Sequence, residues 1–211
     1  MALTADGLIY LDPSGQAPDN WHWRLSTIGL QVAAGGPWEP QDQEGYPRRL
    51  RQRVPTLDQA ALRYVEEALR AFNARCYLAS AVMLGVASEH VFMALANSAV
   101  NALGSRASKL KAALDNPRAS QNSRFAELRK CLEPVRAQLP DDLADTLTLD
   151  AVADLLRITR NDAGHPSGRD VDEDTAYTHL QMAARYIRKM TSLQQYFHNL
   201  GTAAQQSPPA P

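Results

Sequence analysis

Cysteine is scarce in this 211-residue chain, with only Cys76 and Cys131. They lie far apart without metal-type spacing, which fits reduced thiols in a cytosolic protein. The sequence has no Walker loop, no strand followed by a glycine-rich turn, no His-Glu-x-x-His and no pair of Cys-x-x-Cys motifs. Its five histidines, His22, His90, His165, His179 and His198, make no ligand cluster along the chain, so neither a metal nor another cofactor is expected. No internal repeat is found. The formal net charge is only −1 and the pI about 6.5, so nothing pulls the whole molecule toward nucleic acid. Any RNA binding has to rest on a local basic patch. Met1 to Asp12 holds Asp6 and Asp12 among few apolar residues and lacks the basic and apolar regions of a secretory signal, so a cytoplasmic location is expected.

What is present is apolar content enough for one substantial core, at 45% hydrophobic residues. The stretch Cys76 to Val100 is apolar enough to raise the question of a membrane span, but Glu89 and His90 fall at its centre, where ionisable groups are expensive in lipid. A buried core helix, with no membrane partner, is the expectation. The chain divides into an irregular arm over 1–55, a helical body over 56–200 and a disordered tail over 201–211 rich in Gln, Ser and Pro.

The arm carries Trp21, Trp23 and Trp38 and short apolar runs at Leu8-Ile9-Tyr10 and Leu30-Gln31-Val32, compatible with a short β-hairpin. Its tryptophans are read either as anchors in the core or as a surface for stacking bases or meeting a second protomer. Arg48, Arg49, Arg51 and Arg53 make a compact basic run, read as a phosphate-holding patch for RNA or as a solvated linker.

Thr56-Leu57-Asp58-Gln59 has capping-box spacing and predicts a helix start, followed by a buried stripe at Ala61, Tyr64, Val65, Ala68 and Phe72. A second helix from Ala74 to about Leu103 is apolar on most sides and belongs in the middle of a bundle. Glu89 in its narrow polar strip needs a cationic partner if buried, and Arg157 or Arg160 is a candidate; the alternative keeps its head in solvent. His90 is read as a surface cap or a satisfied core group. A short helix carries Lys109 and Lys111 before a loop around Asn116-Pro117. Ser123 to Gln138 predicts a helix weakened by Pro134, with Phe125, Leu128, Cys131 or Leu132, and Val135 buried. Asp170-Val171-Asp172-Glu173 then signals a last helix to about Leu200, buried along Ala176, Leu180, Ala184, Ile187, Met190, Leu193 and Phe197.

Between these helices stands Arg160-Asn161-Asp162-Ala163-Gly164-His165-Pro166. Leu149, Val152, Leu155 and Leu156 fall on one helical stripe leading to it, and Gly164 and Pro166 predict that the chain leaves the helix there. The turn would bring the His165 imidazole toward the Arg160 guanidinium. An arginine followed by asparagine and, five residues on, by histidine at a helix end resembles the HEPN family, the higher eukaryotes and prokaryotes nucleotide-binding domains. The likeness covers about Thr56 to Leu200 as architecture.

That resemblance implies an all-α, antiparallel helical bundle and a metal-independent endoribonuclease acting as a homodimer, with two motifs facing each other. In that chemistry His165 gives or takes a proton, Arg160 stabilises the developing phosphorane, and Asn161 positions His165 or the scissile phosphate. Asp162 orients Arg160 or caps the turn. A single copy offers one histidine, so the dimer would supply both acid and base, leaving 2′,3′-cyclic phosphate and 5′-hydroxyl ends. A toxin or anti-phage effector restrained by an antitoxin or regulatory partner would fit. The alternatives are a non-catalytic module that binds a nucleotide or a partner, and a helical scaffold in which Arg160 is only a salt-bridged bundle residue.

Overall fold

The computed structural model describes residues 7–14, 21–33, 38–139 and 170–206. The fold is all-α with a short N-terminal antiparallel hairpin. The chain forms two compact units, Met1–Glu39 and Pro40–Pro211.

In the first unit, β1 (Ile9–Asp12) pairs with β2 (His22–Leu25), opposing Ile9 to Leu25, Tyr10 to Arg24, Leu11 to Trp23 and Asp12 to His22. The period-two alternation therefore puts Ile9, Leu11, Trp23 and Leu25 on one face, and Tyr10, Asp12, His22 and Arg24 on the other. An Arg24–Asp12 ion pair links the strands on the polar face. The second apolar run does not supply a strand. Leu30-Gln31-Val32 lies in helix α1 (Thr27–Ala33), where Ser26 accepts the Gly29 amide at 2.9 Å and acts as the N-cap. A β-carbon on Gly29 would overlap the Leu8 carbonyl oxygen, so glycine here permits close approach of helix to hairpin.

The second unit opens with α2 (Gly45–Arg53), so the stretch holding the basic run is helical, not irregular. Tyr46 and Leu50, one helical turn apart, are fully buried, and Val54 follows them into the core. The Tyr46 hydroxyl donates to the Leu180 carbonyl at 2.6 Å, tying α2 to the last helix. Asp42 holds the start of α2, accepting from the Gly45 amide at 2.8 Å and from Arg49 at 3.0 Å.

Next comes α3 (Gln59–Asn73), whose start is set by Asp58, not Thr56. The Asp58 carboxylate accepts from Ala60 N at 2.7 Å and Ala61 N at 3.3 Å, while Leu57 N bonds Val54 O in the preceding turn. Ala61, Val65, Ala68 and Phe72 are buried as expected, joined by Leu62 and Leu69; Tyr64 is half-buried. The helix ends in a Schellman arrangement, with Arg75 N on Phe72 O and Cys76 N on Ala71 O. Arg75 occupies the left-handed position at φ 60°, where glycine is usual, and α4 therefore starts at Tyr77 rather than Ala74.

Helix α4 (Tyr77–Leu103) is the central element, packing along α3 on one side and the last helix on another. Leu84, Val91, Phe92, Leu95, Ala96 and Ala99 are buried, while Leu78 is exposed. By length and composition α4 could cross a membrane, and half of its most apolar window is buried inside the protein. After a 3-10 turn (Gly104–Ala107) come α5 (Ser108–Asp115) and α6 (Gln121–Leu132), the latter capped by Ser120. Phe125 of α6 stacks on Phe92 at 5.7 Å between ring centroids. Pro134 coincides with a change to 3-10 geometry over Glu133–Gln138, and Leu128, Leu132 and Val135 are buried; Phe125 and Cys131 are half-buried.

The last helix, α7 (Glu173–Gln206), buries all seven residues of its expected stripe. Asp172 accepts from Thr175 N at 2.8 Å at its start. It outlasts the expected end because Gly201 still runs beside α4, where a β-carbon would sit 3.6 Å from the Cα of Ala102, and Thr202 bonds the His198 and Asn199 carbonyls. Phe72 lies 5.6 Å from Tyr77 and Asp58 reaches His90, so α3 and α4 are antiparallel. Tyr77 bonds Glu173 at one end and Ala102 meets Gly201 at the other, so α4 and α7 run parallel.

Candidate functional site

The five motif-helix candidates, Arg157, Arg160, Asn161, Asp162 and His165, lie outside the described residues. The chain is described again from Asp170, five residues after His165 in sequence. Asp170 uses its carboxylate to accept from the adjacent Val171 amide at 3.0 Å, and Val171 is buried as the chain enters α7. At this end of the bundle the starts of α4 and α7 meet. The Tyr77 hydroxyl donates to Glu173 at 2.8 Å, and the Phe72 ring sits between Tyr77 and Tyr177, with centroids 5.6 and 6.3 Å away. Accepting that bond favours the neutral phenol, so the Glu173 carboxylate raises the Tyr77 pKa, with burial adding to the effect. Sequence reading did not single out this aromatic and acidic grouping, although Phe72, Tyr77 and Tyr177 each stand within a turn of a helix end.

Glu89 is half-buried on α4. Its expected counterparts, Arg157 and Arg160, are outside the described residues. Its neighbour His90 faces α3, with Nε2 2.9 Å from the Asp58 carboxylate that caps that helix. His90 thus belongs to the α3 start.

On α2 the basic run does not gather on one face. Helical spacing pairs Arg48 with Arg51 and Arg49 with Arg53 on different sides. Arg48, Arg51 and Arg53 are exposed, and Arg51 is bonded to Glu66 at 2.6 Å. Arg49 turns inward to Asp42, and its Nε and Nη2 are buried and find no hydrogen-bond partner among the described residues. A patch aimed at phosphate would have its guanidinium groups open to solvent, and here one is withdrawn and another neutralised.

Gln43, Glu44, Pro47, Arg51, Glu66 and Arg70 line a cleft of about 350 Å³. Its two arginines are matched by acids, Arg51 with Glu66 and Arg70 with Glu67, so the cleft has little net field for an anion. The sequence signal was the Glu66, Glu67 and Arg70 spacing on α3, which reads first as a solvated face.

Among the described residues no group of three or more His, Cys, Asp or Glu is placed to hold a metal ion. Both cysteines are free, Cys76 exposed and Cys131 half-buried; burial, with Glu127 nearby, pushes the Cys131 thiol pKa up. Buried His179 on α7 has its pKa lowered by desolvation, which favours the neutral imidazole. The tryptophans divide: Trp38 is buried, whereas Trp21 and Trp23 are exposed. No protein-family model, curated protein or solved structure matches this chain.

Proposed function

We propose that the chain is a metal-independent endoribonuclease of HEPN type, working as a homodimer in a toxin or anti-phage role. The observation that carries this reading is the sequence Arg160-Asn161-x-x-x-His165, whose histidine stands eight positions before the start of α7 at Glu173 in an all-α fold. His165 supplies proton transfer for attack by the ribose 2′-hydroxyl, Arg160 supplies fixed positive charge for the phosphorane, and Asn161 positions the phosphate or imidazole. Asp162, Glu89 and Arg157 are supporting residues in this reading. The second protomer contributes the complementary acid or base.

The test is incubation of purified protein with single-stranded RNA in EDTA, with product ends identified by mass spectrometry. Cleavage leaving 2′,3′-cyclic phosphate, lost in His165→Ala and Arg160→Ala at unchanged melting temperature, is the expected result. Wild-type protein that leaves RNA intact in EDTA would overturn it. A non-catalytic partner-binding module is the second reading, and the exposed apolar face of the hairpin favours it. Under that reading RNA stays intact and hairpin substitutions remove the binding of a partner.

A further inference from the structure

No further inference is drawn: the strongest candidate, the apolar face of the N-terminal hairpin made by Ile9, Leu11, Trp23 and Leu25, stays largely exposed with α1 meeting it only at Leu25 among the described residues, and nothing in the structure shows what covers the rest.

Discussion

Helix α4 and the N-terminal hairpin both carry apolar surface, but they dispose of it differently. On α4, residues such as Leu84, Val91, Phe92 and Leu95 are covered by the flanking helices. On the hairpin, Leu11, Trp23 and Leu25 keep 38–61% of their area in solvent. Two four-residue strands cannot bury enough surface to stand alone, so the stability of this protein has to reside in the helical unit. The difference teaches that apolar content alone does not locate a core. Coverage from at least two sides does.

The largest expected effect is at the bundle. Phe197→Ala, at a fully buried α7 position, should cost about 3–5 kcal/mol by leaving a cavity. Chemical denaturation of the full chain measures it, and a loss near zero would remove α7 from the stabilising core. Gly45→Ala should come next. The new β-carbon would displace the Asp42 carboxylate, stripping the Gly45 amide and Arg49 of an acceptor at roughly 1–3 kcal/mol. Asp58→Ala, removing the α3 cap, should cost about 1 kcal/mol, whereas Thr56→Ala should leave stability nearly unchanged.

Acid supplies a probe with a known sign. Burial lowers the folded-state pKa of His179, so its neutral form contributes stability that is whole above the free histidine value of about 6.5 and falls as pH drops through the depressed folded value. Thermal melts from pH 8 downward should therefore decline below about 6.5, and His179→Gln should flatten that slope. Smallest of all is Trp23→Ser, expected within about 0.5 kcal/mol of wild type. A larger loss would mean that the hairpin face is covered after all, and would erase the contrast with α4.

Much of the helical unit was legible because its signals are periodic. All seven spaced residues of the α7 stripe are buried, and α4 declared itself by being apolar on most sides. Tyr46, Leu50 and Val54 carried the same helical spacing for α2, but the arginines between them drew the reading toward a linker. The break at Arg75 was hidden for another reason: a left-handed helix end is normally marked by glycine, and an arginine held there by backbone bonds leaves no compositional trace. Thr56 and Asp58 were both competent caps, and the extended backbone at Asp58 decides between them. The parallel course of α4 and α7 is a tertiary fact that no local pattern encodes. Of the site residues, sequence spacing predicts Arg160 and His165 near a helix end, which lies outside the described residues, while the pairing of Arg49 with Asp42 and of Arg51 with Glu66 depends on contacts across turns that spacing does not reveal.

Because α4 and α7 start at the same end, no tight turn can join them, and the intervening chain has to travel back the length of α4 before α7 begins. A Tyr46–Leu180 bond spans 134 residues and Tyr77–Glu173 spans 96, so these contacts close large loops. During synthesis α3 and α4 emerge before α7, so the flank of α4 that α7 covers waits bare until the final stretch of polypeptide arrives. Nascent chains halted before residue 173 should accordingly be prime clients for chaperones and proteases.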